Sequence, residues 1–493
     1  MGCMPGKGRV LWPAVLTALG LVCIGLVQLG FNVVVGRVHG PAVLGDVNLA
    51  LALALFVSTL ISSSFVPANT KYVAEYRGRE DKDGERTAFG LSLAIVVACG
   101  AVLALLLHAY LPRIADLLQP ILPNLASRVG AQRDLFAAAL PLVLLHPLYL
   151  LTRDMFYATE RVERYLRLEV CTAIGFFLLL AAVIARDGPL PLPFVVAYAL
   201  FAAAAVAHHR DRLGLVRERG REVLGDLSHF ALRNAAGQFS MMAKIRLGVI
   251  LASSFLAMEQ AGLYAAAFAL QSIFYFIPRS LNAVLAPAVS FSYGSRNEER
   301  VERILTEATR FTATAILLLG GVSYIAAPLI LRLVYSAPFA AAAPAFRYLL
   351  LATLASVIAQ PAINTLGSTE HIHITGMGGV IGLTTSLVAW YILIPGRGIE
   401  GIALGFFLGS LANALIGIGF ASRLFTFSPR VLVRPLVAGG AALLVGMAVS
   451  SPGAGGQLIG AGLFTALYLA ANWRELSELV QRVTVVVRER LSV

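Results

Sequence analysis

The chain is long, apolar and poor in charge. It has 493 residues, of which 58% are hydrophobic and only 13% are charged, and its mean hydropathy is +0.79. Soluble globular proteins have roughly 45–50% apolar and about 25% charged residues, so this composition excludes an ordinary soluble enzyme, a disordered chain and a soluble nucleic-acid-binding protein. The apolar residues occur in blocks of about 20, enough to cross ~30 Å of hydrocarbon. The sequence therefore predicts an all-α polytopic membrane protein with no nucleic-acid partner.

Apolar blocks separated by polar stretches predict about fourteen transmembrane helices. The first block follows Lys7 and Arg9 like a signal peptide, but it is too long and has no A-x-A cleavage site, so we predict a retained first span. In chain order the predicted spans are 11–35, 46–66, 88–111, 135–152, 169–185, 190–206, 238–257, 262–288, 311–330, 346–366, 374–394, 399–420, 433–450 and 457–473.

The spans group into five predicted segments. An N-terminal six-helix bundle covers 1–206, a C-terminal six-helix bundle covers 238–420, and a basic cytoplasmic linker at 207–237 joins them. An extra helix pair follows at 433–473. The tail, 474–493, has the pattern of an amphipathic helix lying on the inner membrane surface.

Short similarities between the two bundles predict an internal repeat. The sequence A-T-E at 158–160 returns as S-T-E at 368–370, and Gly45 opens the second span as Gly262 opens the eighth. Six spans separate equivalent positions, so both bundles cross the membrane in the same direction. They are then parallel repeats related by a pseudo-twofold axis along the membrane normal. This architecture is typical of an alternating-access carrier rather than of a pore.

The distribution of basic residues predicts the orientation. With the N-terminus inside, 28 of the 39 Lys and Arg residues fall in inner segments and seven in outer segments. Inner loops are enriched in Lys and Arg. We therefore predict a multi-pass protein of the cell (plasma or inner) membrane with both termini in the cytoplasm.

We predict no cofactor, no metal and no catalytic residue. Cys3, Cys23, Cys99 and Cys171 are scattered without a CxxC pair, which indicates neither a disulfide framework nor a zinc site. No Walker A motif is present. The D-K-D sequence at 81–83 matches a metal–sugar-nucleotide pattern, but it lies in a short charged loop, and we interpret it as a solvated charge run.

The predicted spans contain basic residues but no acidic residue in their middle thirds. Lys244 and Arg246 lie in the seventh span and Arg279 lies in the eighth. Each charge costs about 2.5–3.5 kcal/mol at the bilayer centre, so it should face protein, water or a ligand. A phosphate or pyrophosphate headgroup would supply the missing anion, because Arg binds it through paired donors and Lys as a point charge. Arg37, at the outer end of the first span, is a further predicted headgroup contact.

These residues have a second interpretation. Long basic side chains also extend along a helix and place the charge at the interface. We leave that alternative open for Lys244 and Arg37, and we favour the headgroup interpretation for Arg246 and Arg279 together. His146 is interpreted as a packed histidine rather than a proton carrier.

Four short motifs carry a family resemblance. They are V-G-R-V-H-G-P at 35–41, A-G-L-Y-A-A-A at 261–267, the segment 333–343, and G-I-E-G-I-A at 398–403. Together they resemble the polysaccharide-biosynthesis and lipid-linked oligosaccharide flippases of the multidrug/oligosaccharidyl-lipid/polysaccharide (MOP) exporter superfamily. The likeness covers most of the first twelve spans.

The resemblance implies a carrier of an isoprenoid-(pyro)phosphate-linked oligosaccharide from the inner to the outer leaflet. It also implies membrane lipids and the glycosyltransferases or polymerase of the same pathway as partners, and we predict a monomer. Members of the family commonly have an acidic residue in the seventh span, where this chain has Lys244 and Arg246. This departure favours an anionic cargo and argues against family-typical cation coupling.

Two other functions stay open. A drug or cation antiporter of the same superfamily would need a carboxylate within the membrane. A membrane glycosyltransferase or polymerase would use carboxylates or a large outer loop, and the longest predicted outer loop, 112–134, is short.

Overall fold

The computed structural model consists of α-helices joined by short turns, with no β-strand among the residues that it describes. Those residues are 7–275 and 297–478, apart from 121, 370, 426, 452 and 476, together with 285, 289, 292, 293 and 295. The predicted headgroup ligand Arg279 lies outside the described residues, as does most of the predicted tail.

The helices are α1 (Lys7–Gly78), α2 (Lys82–Leu118), α3 (Pro123–Ala131), α4 (Arg133–Ala139), α5 (Leu142–Ala158), α6 (Val162–Ala185), α7 (Leu192–His208), α8 (Arg217–Phe255), α9 (Met258–Gln271), α10 (Glu298–Ile325), α11 (Ala327–Val334), α12 (Ala343–Gly367), α13 (Ile372–Leu424), α14 (Val433–Val449) and α15 (Ala454–Ala471). Short 3-10 segments lie at Arg210–Arg212, Ser272–Tyr275, Ala337–Ala342 and Pro429–Leu432.

Within the described part of the chain, nine helical segments are long and apolar enough to cross a membrane. Two of them, Leu19–Gly78 and Ile372–Leu424, have 60 and 53 residues. Each bends at a glycine with positive φ, which is +80° at Gly40 and +52° at Gly398, in a conformation that residues with a Cβ rarely adopt. A span needs about 20 residues, so each of these segments is long enough to cross twice. The chain is an integral membrane protein, and the total of fourteen spans stays a prediction.

The segment between the fourth and fifth predicted spans, 153–168, is mostly helical, since α5 continues to Ala158 and α6 begins at Val162. Hydropathy detects only the apolar part of a helix, whereas polar residues at its end stay helical. As a result, Arg153 and Asp154, which follow the fourth predicted span, lie inside α5.

Most of the predicted linker at 207–237 is also helical. Helix α8 begins at Arg217 and continues to Phe255, so it joins the basic stretch and the seventh predicted span in one helix of 39 residues. At 1.5 Å per residue, α8 is about 58 Å long. It is therefore longer than the ~30 Å hydrocarbon core of a bilayer, and it is not one of the nine described segments that are apolar enough to cross that core.

The described helices fall into two compact units. The first unit consists of Met1–Ala269 and Ile394–Ile402, and the second consists of Leu270–Leu393 and Ala403–Val493. By its contacts, the seventh predicted span thus belongs to the first unit. This division into two units does not test the predicted repeat of two six-helix bundles, which stays a prediction.

The first unit packs around the part of α1 that follows Gly40. Val73 and Tyr76 of α1 form one buried cluster with Phe89 of α2, Met155 of α5 and Leu227 of α8. Burial of a large apolar side chain contributes about 1.5–3 kcal/mol. This cluster fixes α5 and α8, which carry the polar residues discussed below, relative to α1.

In the second unit, the C-terminal helix pair packs through glycines. A Cβ atom at Gly460 of α15 would lie 2.5 Å from the carbonyl oxygen of Gly446 of α14. Small residues allow such close approach of membrane helices. The hydroxyl of Tyr468 in α15 donates a hydrogen bond to the Thr314 carbonyl oxygen, at 3.1 Å, and so joins the pair to α10.

Helix α9 begins in direct backbone contact with α1. A Cβ atom at Gly262 would lie 1.7 Å from the carbonyl oxygen of Pro41, and one at Gly45 would lie 2.4 Å from the carbonyl oxygen of Met258. No larger residue fits at Gly262 without displacing backbone. Gly45 and Gly262 are also the two glycines that the sequence pairs as equivalent positions of its repeat.

Arg128 of α3 covers the end of α8. Its guanidinium group donates hydrogen bonds to the carbonyl oxygens of Ser253 and Leu256, the second at 2.8 Å. The last carbonyls of a helix lack helical partners and carry partial negative charge, so a cation there is stabilising. Arg128 therefore fixes the end of α8 against α3.

We expect Gly262→Ala to destabilise the protein, because the added Cβ would meet the Pro41 carbonyl. The expected cost is about 1–3 kcal/mol, as for overpacking in general. Thermal unfolding of the purified protein in detergent would measure it.

Gly175→Ala is the matched control, since Gly175 lies in α6 with no atom within 4 Å of its added Cβ. It should leave the midpoint unchanged or raise it slightly, as expected for Gly→Ala in a helix. Equal midpoints for the two variants would contradict the proposed close contact.

Candidate functional site

The structure describes three of the four predicted headgroup ligands. Lys244 and Arg246 lie on α8, and Arg37 lies on α1, three residues before the bend at Gly40. The side chain of Lys244 is buried, that of Arg246 is half-buried and that of Arg37 is exposed. Two residues apart on a helix point about 200° apart, which accounts for the different environments of Lys244 and Arg246.

Arg246 lies well inside its helix. It is nine residues before Phe255, the last residue of α8, and nine residues correspond to about 14 Å along a helix. Helix α8 is not among the nine described segments that are long and apolar enough to cross a membrane, so the depth of Arg246 rests on the predicted seventh span, 238–257, in which Arg246 is near the middle. A charge at this depth needs polar surroundings or a ligand.

Polar side chains of the first unit surround Arg246. It lies close enough to His146 of α5 and Tyr198 of α7 to interact with both electrostatically. The imidazole of His146 lies 5.8 Å from the Tyr198 ring, centroid to centroid, and its Nδ1 lies 2.9 Å from the Ser58 hydroxyl. These contacts agree with the interpretation of His146 as a packed histidine.

Arg246 has no carboxylate partner in the part of the chain that the structure describes. Its electrostatic partners there, Tyr198 and His146, are not carboxylates, and none of the ion pairs among these residues involves Arg246. The guanidinium group therefore keeps its full donor capacity for a ligand.

A second polar cluster lies beside this one and does contain acids. The Tyr149 hydroxyl donates to both carboxylate oxygens of Glu169, at 3.2 and 3.1 Å. One helical turn along α5, Arg153 pairs with Asp154 at 2.8 Å. The Tyr149 ring stacks on the Tyr198 ring with centroids 4.6 Å apart, which connects the two clusters.

Sequence reasoning missed this second cluster. It lies on α5 and α6, with Tyr149 and Glu169 inside the fourth and fifth predicted spans and with Arg153 and Asp154 just beyond the fourth. His146, Arg153 and Tyr157 recur at intervals of seven and four residues, which places them on one face of a helix. This spacing is the sequence signal that points to a polar cluster on α5. In the first unit, Asp154 thus provides a counter-charge for Arg153, whereas no acidic side chain among the described residues pairs with Arg246.

The D-K-D sequence at 81–83, where α1 is followed by α2, has a structural role. Asp81 accepts a hydrogen bond from the backbone N–H of Gly84 at 2.9 Å and pairs with Arg219 of α8. The hydrogen bond from Gly84 and the nearby Arg219 charge lower the pKa of the Asp81 carboxyl. Asp81 therefore begins α2 and joins it to α8, whereas the sequence predicts a solvated charge run here, and Lys82 and Asp83 lie in the first turn of α2.

No group of three or more His, Cys, Asp or Glu side chains that could hold a metal ion is found among the described residues.

Comparison with known proteins identifies the fold. No protein-family model matches the sequence, and no curated protein matches it. A solved structure described as the lipid II flippase MurJ, in an inward closed conformation, matches with a TM-score of 0.70 and 13% identity, over 94% of this chain and 99% of that one. The chain has the fold of the MOP-superfamily transporters.

Two further MOP-superfamily structures agree with this. An inward-facing multidrug resistance MATE family transporter matches with a TM-score of 0.67 and 15% identity, over 83% of this chain and 98% of that one. A MOP transporter from Pyrococcus furiosus matches with a TM-score of 0.62 and 15% identity, over 85% and 95% of the two chains. At these identities the likeness concerns the fold, and that fold agrees with the superfamily that the sequence motifs indicate.

We expect Tyr149→Phe to lower the stability of this MOP fold, because it removes the hydroxyl that donates to the buried Glu169 carboxylate. Loss of a hydrogen bond to a charged group costs about 1.5–3 kcal/mol. The measurement is thermal unfolding in detergent. Tyr391→Phe is the control, since Tyr391 is 86% exposed, and equal effects of the two substitutions would contradict a structural role of the Tyr149–Glu169 pair.

Proposed function

We propose that the chain is an alternating-access flippase that moves an isoprenoid-(pyro)phosphate-linked oligosaccharide from the inner to the outer leaflet of the cell membrane, for cell-surface polysaccharide or glycoconjugate synthesis. One observation carries the proposal. Arg246 lies deep inside α8, beside His146 and Tyr198, and has no ion pair among the described residues.

The physical argument concerns the charge balance inside the membrane. A buried cation is costly unless an anion or water faces it. Arg presents a planar group of donors that matches phosphate oxygens in a bidentate manner, and such charge-assisted hydrogen bonds are roughly twice as strong as neutral ones. A ligand with one or two phosphates therefore satisfies Arg246 better than a neutral or cationic drug would.

In the proposed cycle, Arg246 binds the headgroup together with Lys244 and with Arg279, the ligand predicted in the eighth span. The oligosaccharide passes through a hydrated cavity while the isoprenoid tail stays in lipid. The two predicted bundles then rock to open the cavity to the outside, where Arg37 provides a further contact. Both termini lie in the cytoplasm in this arrangement.

The described functions of the similar structures support both a flippase and its main rival. MurJ is described as a lipid II flippase and the first MATE protein as a multidrug resistance transporter. The Pyrococcus furiosus protein is described as having a binding pocket of reverse polarity that suggests a different function. We apply the same reasoning here, since bases rather than acids occupy the seventh predicted span.

We expect Arg246→Ala with Arg279→Ala to abolish transport and to leave folding and membrane insertion intact. The assay uses proteoliposomes that contain a radiolabelled isoprenoid-pyrophosphate-linked oligosaccharide and measures its accessibility to an added glycosidase. Arg246→Lys, which keeps the charge and loses the bidentate geometry, should retain partial activity.

The control variant is Arg332→Ala, because Arg332 is exposed at the end of α11 and has no proposed role. It should transport at the wild-type rate. Full transport by the Arg246/Arg279 double variant would remove these residues from the mechanism.

The same vesicles distinguish the alternatives. A drug or cation antiporter would expel a cationic dye against a proton or sodium gradient, and a glycosyltransferase or polymerase would extend the labelled glycan. We expect neither reaction from the purified protein. Dye expulsion without oligosaccharide movement would replace the flippase proposal with the antiporter.

A further inference from the structure

A cluster of basic side chains lies where α6 begins and α7 ends. Arg161 precedes the first residue of α6, Arg164 lies in its first turn, and His208 is the last residue of α7. These residues belong to the first unit, and none of them takes part in the candidate site around Arg246.

Two guanidinium groups converge on one imidazole nitrogen. Arg161 Nη1 lies 3.1 Å from His208 Nε2, and Arg164 Nη1 lies 2.9 Å from the same atom. Guanidinium groups only donate hydrogen bonds, so Nε2 has to accept and the imidazole has to be neutral in this geometry. The arrangement thus brings two positive charges together. Asp211 and Arg212 also lie close enough to His208 to interact with it electrostatically, but Asp211 pairs with Arg212, at 3.9 Å, and not with Arg161 or Arg164.

Neighbouring arginines differ in this respect. Arg167, one turn further along α6, pairs with Glu163 at 3.7 Å, and Arg77 pairs with Glu160 at 3.5 Å. In the part of the chain that the structure describes, no ion pair involves Arg161 or Arg164. Two converging cations that pair with no carboxylate repel each other, and an anion between them would reduce that repulsion.

The imidazole that organises the cluster is held in place. The His208 ring stacks on the Phe156 ring with centroids 5.5 Å apart and an interplanar angle of 21°. The adjacent His209 is fully buried, with its Nδ1 3.0 Å from the Ala205 carbonyl oxygen and its Nε2 3.3 Å from the Thr159 hydroxyl. The site is therefore preformed, which reduces the entropy cost of binding a ligand.

Next to the cluster, α6 and α7 expose apolar side chains. Ile174 and Leu178 of α6 are 58% and 69% exposed, and Leu200 of α7 is 61% exposed. In an integral membrane protein, such surfaces face acyl chains. The same pair of helices thus offers a basic site at its end and an apolar surface along its length, which matches the two parts of a phospholipid.

We propose that Arg161, Arg164 and His208 bind the phosphate of an anionic phospholipid. Each guanidinium group has donors left over after its contact with His208, and two such groups can hold one phosphate through charge-assisted hydrogen bonds. Basic pockets between transmembrane helices on the cytoplasmic side are known to bind anionic headgroups. The bound lipid would join the loop at 159–161 to the end of α7.

The test measures lipid binding by the full-length protein and does not depend on transport. The protein in detergent is titrated with phosphatidylglycerol or, as a neutral phospholipid, phosphatidylcholine, and bound lipid is counted by native mass spectrometry alongside the thermal midpoint. We expect phosphatidylglycerol to bind and to raise the midpoint. Arg161→Gln with Arg164→Gln should weaken this binding at least tenfold.

Arg167→Gln is the matched control, since it removes one charge from the same helix, where Glu163 already pairs with it. It should keep wild-type affinity. If the double variant fails to fold, Arg161→Gln and Arg164→Gln are measured singly, and each should lose affinity several-fold.

Three results would overturn the proposal. The first is unchanged phosphatidylglycerol binding in the variants, and the second is an equal loss in Arg167→Gln, which would indicate general surface charge. The third is equal stabilisation by inorganic phosphate at the same concentration, which would replace the lipid by free phosphate as the ligand.

Discussion

The central constraint on this molecule is the cost of placing charge in hydrocarbon. Three charged groups among the described residues meet this cost in different ways. Arg153 pairs with Asp154 within one helix, Glu169 accepts hydrogen bonds from Tyr149, and Arg128 binds the carbonyl oxygens at the end of α8. Arg246 has none of these partners among the described residues, and the proposed function assigns it an anionic ligand.

The sequence predicts the class of fold well because hydropathy and helix length follow directly from the thickness of the bilayer. The described residues of the predicted spans are mostly helical, with the fourth span divided between α4 and α5, and the superfamily that the motifs at 35–41 and 261–267 indicate agrees with the fold. The motif glycines have clear physical roles, since Gly40 and Gly398 adopt positive φ and Gly262 meets the backbone of α1.

The candidate site is predicted less completely. Lys244 and Arg246 are visible as charges within an apolar block, but their neighbours His146 and Tyr198 come from distant helices, and the sequence does not show which helices pack together. The Tyr149–Glu169 pair is missed for the same reason. Both residues lie within predicted spans, the fourth and the fifth, but the sequence does not show that the two side chains meet.

The continuity of α8 has a mechanical consequence. One helix carries Arg219, which pairs with Asp81 at the start of α2, and also Arg246, 27 residues or about 40 Å further along. A rod of this kind acts as a lever, since a small tilt at either end displaces the other by several ångströms. Any event that loosens the ion pair between Arg219 and Asp81 would therefore be transmitted along α8 to Arg246.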